Sequence, residues 1–394
     1  MRWFVAVLAG AAVLAAQEPS PLAPEVIQLA RIRQRMLANL ARQPNYTCVE
    51  TVERSHRAAP TRKFQLLDII RLEVALVEGK EMFGWPGSKN FEDTDLRNIV
   101  TTGAIGNGNF ANHARAIFES YNATFEYRGM DQSAIRYDVR VPLMLSGYKL
   151  RVEKREAIVG YHGSVWVDPD SLDLRRLDVF ADDIPVELGL SDASDRMDYA
   201  RMKIGEGDFL LPASSELSMV DLNGSENRNH VRFAGCRQFS GESVLTFGDA
   251  PAPEETASPV AEIGLPPDLW LRLTLLDDLE LGKSAVGDPV HARLENDLRH
   301  KGKILFAKGA TVIGRITRME PHEGYTDLGL EFSEIESSGL RARVKARLEE
   351  VIGLDPFSPH PRGVKATGKP GEGLIPLSPA RPRLSHGILM FWRT

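Results

Sequence analysis

Only 2 of the 394 residues are cysteine, so at most one disulfide can form. After residue 16 no apolar run approaches the roughly 20 residues that span a bilayer, which excludes a later membrane helix. Positive charge is not in excess either. The formal net charge is −6, and so mild an acidity does not suit a dedicated nucleic-acid binder. His-Glu-x-x-His and Gly-x-Ser-x-Gly are both missing, and the 9 histidines are scattered without metal-ligand spacing. No metal, cofactor or catalytic residue is therefore expected. What is present is 43% apolar residues, ample for packed cores, in a length that suits two domains or a little more.

The chain opens with Arg2, an apolar stretch that ends in Ala15-Ala16, and then Gln17-Glu18-Pro19. This is the pattern of a secretory signal peptide, residues 1–16, cleaved near Ala16. An N-terminal anchor helix is the alternative. No cysteine follows, so a lipid-anchored form is not expected. The mature protein is expected in the periplasm or outside the cell, and not as an integral membrane protein. In that oxidising setting Cys48 and Cys236 favour a bridge; two buried thiols are the alternative. The bridge would close a loop of about 190 residues, which the chain-entropy treatment makes worth up to about 5 kcal/mol.

Residues 24–248 read as one domain. From Pro24, Leu29, Ile32, Met36 and Leu40 recur at helical spacing with Arg31, Arg33 and Arg35 between them, and Pro44 stops the run. The basic face is that of a helix packed on a sheet; a membrane-surface helix is the alternative. Strands are predicted over Tyr46–Arg54, Lys63–Leu76 and Lys80–Trp85, with a turn at Val77-Glu78-Gly79-Lys80. Two helical stretches then flank a loop carrying Gly103, Gly106 and Gly108. Their spacing fits no phosphate-binding fingerprint; a hinge, or a lid over a cavity, is the reading. From Thr124 to Phe247 the pattern is antiparallel β, ending with a strand at Ser243–Phe247 beyond the strand of Cys236.

An open antiparallel sheet with a leading helix and a helical insert resembles the LolA-like carriers of the bacterial envelope, which include LppX-type lipoproteins and RseB-like sensors. The best local echo is Tyr161 to Leu177, a strand ending in Asp168, a turn, and a returning strand with Arg175 and Arg176. The resemblance implies a half-barrel around helices, with space for acyl chains. Tyr46-Thr47-Cys48 also resembles the first strand of secreted acidobacterial-type proteins, which brings no function with it.

Residues 249–262 are a proline- and acid-rich linker, and 263–394 read as a second β module. Its stretch Gly302 to Ile316 resembles the C-terminal β-barrel of TrbI-type conjugation and secretion proteins, without the transmembrane segment those carry; only a small barrel is implied. Leu328–Leu348 reads as a hairpin centred near Ser338. Arg341, Arg343, Lys345 and Arg347 line one face of it, a surface for an anionic partner or a solvated face with ion pairs such as Glu331 opposite Lys345. Residues 353–382 read as a long loop. The apolar end, Gly387 to Trp392, reads as a final strand that closes the barrel.

Two weaker motifs occur. Ser146-Gly147-Tyr148-Lys149 matches Ser-x-x-Lys but sits between strands instead of opening a helix. Asp182, Asp183, Asp192 and Asp195 could contact Ca²⁺, yet lack ligand spacing, so a polar loop is expected. The fold class expected is α+β: an open antiparallel half-barrel with helices, plus a second small β-barrel. The function expected is a non-enzymatic periplasmic binding protein, carrying or sensing a lipid- or lipoprotein-like apolar ligand, with an envelope protein as further partner. A structural envelope module and a hydrolase of unrecognised family are the alternatives.

Overall fold

The computed structural model describes residues 22–87, 91, 112–152, 155–239, 261–337, 339–352, 371–380 and 382–394. The leader (1–16), the glycine loop (Gly103, Gly106, Gly108), Ser243–Phe247, and most of the linker and of the 353–382 loop lie outside the described residues. Helix α1 covers Pro24–Arg42, with proline in its first turn. Helix α2 covers Asn112–Phe118.

The first half contributes β1 (Tyr46–Arg57), β2 (Gln65–Val77), β3 (Lys80–Gly84), β4 (Thr124–Asp131) and β5 (Ala134–Val141). Then come the separate hairpin β6 (Lys149–Val152) and β7 (Arg155–Ile158), and β8 (Gly160–Val167), β9 (Leu174–Asp182), β10 (Leu190–Ile204), β11 (Gly207–Asp221) and β12 (Glu226–Gln238). Ten of these strands form one sheet in the order β3-β2-β1-β12-β11-β10-β9-β8-β5-β4. Most neighbours are joined by local turns. Glu78 and Gly79, both with positive φ (51° and 79°), make the two-residue turn between β2 and β3.

The exception is β1 with β12, which pair antiparallel across most of the domain. Cys48 and Cys236 form a disulfide on this ladder, with a sequence separation of 188. Their Cα atoms are 4.1 Å apart, beside a bulge between Thr47 and Val49. The bridge therefore links neighbouring strands inside the sheet, third and fourth along its order.

The second half contributes β13 (Ala261–Gly264), β14 (Trp270–Leu275), β15 (Leu279–Glu280), β16 (Pro289–Leu294), β17 (Leu298–His300), β18 (Lys303–Phe306) and β19 (Thr311–His322). It continues with β20 (Tyr325–Ser337), β21 (Leu340–Arg343), β22 (Arg347–Ile352), β23 (Glu372–Leu377), β24 (Arg383–Leu384) and β25 (Leu389–Arg393). Its main sheet runs β13-β21-β20-β19-β16-β14-β25-β22, with β23 added on β20. The final strand exists, and Trp392 in it is fully buried, edge-on to Phe332.

Closure into a barrel does not follow. Strand β13 pairs only with β21, and β22 only with β25, so the ends of the path stay apart among the described residues. The α+β assignment is corrected as well. Two helices of 19 and 7 residues accompany sheets of ten and nine strands, so among the described residues the class is mainly β with open sheets.

The halves share a core. Cys48, Val52, Leu72 and Val74 belong to one buried cluster with Leu271, Ile316, Leu330 and Trp392. Strand β3 covers only the end of β2 from Glu73 onward. On the edge left free, Arg71 N donates to Val286 O (2.8 Å) and Val286 N to Ile69 O (2.7 Å). Arg71 also pairs with Asp288, and Arg315 lies over the Trp85 ring at 5.1 Å. Gly287 sits in this seam with φ +97°, where a Cβ would fall 2.3 Å from Arg71 O.

Two outcomes follow from this packing. Replacing both cysteines with serine should lower unfolding free energy by about 2–5 kcal/mol in urea titrations, because the unlinked chain gains loop entropy. Gly287→Ala should cost about 1–3 kcal/mol and speed amide exchange at Arg71 and Val286 more than at Val165 on β8, which lies far along the sheet from the seam.

Candidate functional site

The registers of the first sheet define one face row by row. Ile70, Val52, Val231, Ser215, Met197, Leu177, Val165 and Tyr137 lie abreast across β2-β1-β12-β11-β10-β9-β8-β5. The adjacent row holds Asp68, Arg54, Asn229, Leu217, Asp195, Val179, Gly163 and Val139. Strand alternation puts all of these on the same side. Helices α1 and α2 cover this face through Ile32, Met36, Ile117 and Phe118, packed with Tyr137, Val165, Leu177 and Met197. Hairpin β6–β7 covers Ala193, Leu217 and Met219 through Leu150.

The cover is pinned by polar side chains. Buried Asp173 accepts from Arg35 Nε (3.1 Å), Asn39 Nδ2 (3.1 Å) and Arg201 Nε (2.7 Å). Burial alone would raise its carboxyl, but these hydrogen bonds outweigh it and hold the pKa below the usual range. Arg33 donates to Ser120 O at 2.9 Å, tying α1 to the segment after α2. So Arg33 and Arg35, read from sequence as part of a solvated face, fasten the helix.

Under α2 the face becomes acidic. Asp195, on β10, is buried, and neither carboxylate oxygen accepts a hydrogen bond among the described residues. His113 Nε2 of α2 lies 3.4 Å from its Oδ2. The His113 ring meets Tyr148 edge-on at 5.3 Å, and Tyr148 meets Tyr161 at 5.8 Å. Burial, and then the charge of Asp195, push the Tyr148 and Tyr199 phenols well above their usual range. On β1, burial and then the neighbouring Glu81 raise the Glu50 carboxyl to about 8, and its Oε2 accepts no hydrogen bond among the described residues. At neutral pH Glu50 is therefore protonated. Arg115 of α2, bonded to Gln43 (3.2 Å) and Glu119 (2.9 Å), brings positive charge toward Tyr46. Arg54 is buried against Asp68, with Nε 2.7 Å from Oδ1.

The structure scatters the aspartates weighed as a calcium site. Asp182 pairs with His162 at 2.8 Å, Asp183 takes a positive φ of 55°, Asp192 is exposed and Asp195 points inward. No group of three or more His, Cys, Asp or Glu able to hold a metal occurs among the described residues. Ser146 closes a short 3-10 turn, where its Oγ accepts from Tyr148 N, and Lys149 pairs with Glu156 at 3.3 Å.

The basic residues of the second half are divided. Arg341 and Arg343 lie on β21 opposite Glu336 and Glu334, and Arg341 forms ion pairs with both acids. Lys345 lies between strands, and Arg347 on β22 pairs with Glu349 at 2.6 Å. Glu331 faces Arg315 and Glu372, not Lys345, because the chain leaves the ladder after Arg343. Lys345 and Arg347 line a cavity of about 360 Å³ with Asp268, Ala346, Gly371, Arg393 and Thr394.

No family model and no curated protein matches the chain. Among solved structures it is similar to a LolA superfamily protein from Nitrosomonas europaea, with a TM-score of 0.28 and 10% identity over 54% of this chain and 93% of the other. A DUF1329 family protein from Desulfovibrio piger is similar at a TM-score of 0.28 and 10% identity, over 54% of this chain and 94% of the other. Neither bears on the TrbI-type resemblance, which stays an expectation.

The buried acid gives a signed pH dependence. An unfolded Glu50 ionises near 4.5 and the folded one near 8, so unfolding releases a proton between those values. The contribution to stability is full below pH 4.5 and falls as pH rises to about 8. Glu50→Gln removes it. The variant's urea midpoint should gain on the wild type steadily from pH 4.5 to 8, and a constant difference over that range would refute the assignment.

Proposed function

We propose that the protein is a non-catalytic binding protein of the bacterial envelope, exported to the periplasm, which carries or senses an apolar lipid-type ligand on the helix-covered face of its first sheet. The observation that carries this reading is the construction of that face. A broad row of Val, Ile, Leu and Met side chains is covered by two helices and a hairpin. Side-chain bonds hold the helices to the sheet and to each other, and no strand ladder joins the hairpin to the main sheet. Such a cover can shift without breaking the sheet, and lifting it exposes apolar surface suited to acyl chains. The disulfide fits an oxidising compartment. No helix among the described residues is long and apolar enough to cross a membrane.

A second reading is a structural envelope module without a small ligand. The core shared between the halves favours it, since a rigid seam serves assembly as well as carriage. A native mass spectrum of protein purified from its own envelope separates the two. The carrier should keep a co-purifying lipid mass that organic extraction removes; a clean apo mass under gentle desolvation would favour the structural module.

A further inference from the structure

Strand direction gives the first sheet two ends. At one end lie the turn before β4, the segment after β5, the β9–β10 connection and the β11–β12 turn. Large apolar side chains stand exposed at each of them: Tyr121 (92%), Leu143 (41%), Met144 (92%), Leu145 (51%), Val186 (73%) and Leu222 (59%). At the other end the turns 131–134, 168–173 and 204–207 carry no such residue; Met130, at the edge of the first of them, is the nearest.

Hydrogen bonds join the exposed residues into one arc. Asn122 Nδ2 donates to Leu145 O at 3.0 Å, which sets Tyr121 beside the Leu143–Leu145 turn. Val159 N donates to Tyr148 O (3.0 Å), closing the base of hairpin β6–β7, which follows that turn directly in the chain. Arg155 of the hairpin donates to Glu187 O, and Leu222 N donates to Gly189 O (2.9 Å).

We propose that this rim is a membrane-docking surface that inserts Leu143-Met144-Leu145 and Tyr121 into the interfacial layer of a lipid bilayer. Separate loop tips that each project one to three apolar side chains suit a fluid surface, which yields around each tip; a protein partner would need a matching groove for every one. Tyr121 has the mixed character that favours the water–lipid boundary, and Arg33 lies over its ring at 5.1 Å. Exposed Arg140 precedes the Leu143–Leu145 turn, and exposed Arg155 stands at the tip of hairpin β6–β7 beside Glu187; both carry charge suited to lipid phosphates. Glu187 and Asp183 share the rim, so insertion of apolar side chains supplies more of the attraction than net charge. The proposal rests on the lipid-binding reading, because a carrier must meet a membrane to exchange its cargo, and the rim lies where α2 runs out toward Tyr121.

The test is flotation of the full chain with vesicles of phosphatidylethanolamine and phosphatidylglycerol. The wild type should float, and Met144→Asp/Leu145→Asp should lower the bound fraction roughly tenfold or more, the scale expected for two apolar side chains kept out of the interface. The melting temperature should stay unchanged, since both side chains are exposed. Met144→Trp should show a blue-shifted emission on adding vesicles. Failure of the wild type to float, flotation of the double variant at the wild-type level, or an unshifted tryptophan each overturns the proposal. Co-purified lipid without flotation would remove the rim and leave the carrier standing; flotation with a clean apo mass would do the reverse.

Discussion

The ladder between β1 and β12 brings residues 46–57 against 226–238, and the first half of the molecule depends on it. The other neighbours in that sheet are mostly close in sequence and can form locally. This pairing cannot, because its loop-closure entropy must be met before any contact is made. The cysteine bridge lies on that ladder, so the covalent link stands where the entropic cost of the fold is concentrated. With β1 in place, β2 and β3 extend the sheet on one side and the meander from β11 to β4 on the other.

The helix-covered face combines two demands that conflict. Apolar rows supply the burial that drives folding, yet among the described residues both carboxylate oxygens of Asp195, and Oε2 of Glu50, lack the hydrogen bonds that normally accompany buried acids. Asp173 shows the opposite solution, a buried carboxylate saturated by three donors from α1 and β10. The anchor of the cover is thus well satisfied, while the ground beneath α2 is not.

Regular strands were legible because their alternation is regular. The β2–β3 hairpin, α1 and the returning C-terminal strand are all visible in the residue pattern. Strand β10 was not. Its stretch Ser191 to Arg196 looks like a polar loop, since one of its inward positions carries Asp195. The hold on Asp173 was invisible for another reason: Arg35 is 138 residues away and Arg201 is 28, so nothing local marks them as partners. The register of Arg341 to Arg347 failed on a third ground. A single hairpin was assumed, while the chain turns off after Arg343 and resumes on a different neighbour. An open second sheet in place of a barrel was likewise beyond the sequence, because alternation tells which face is buried and not which edges meet.

The seam at Val286 also bears on how such a chain can be inherited. The uncovered part of β2 is a bare row of backbone donors and acceptors, and the second half caps it. Cut apart, the first half would present a sticky strand edge to its own copies. The two halves are therefore poor candidates for shuffling as independent modules, and a gene that lost one of them would leave the other prone to self-association.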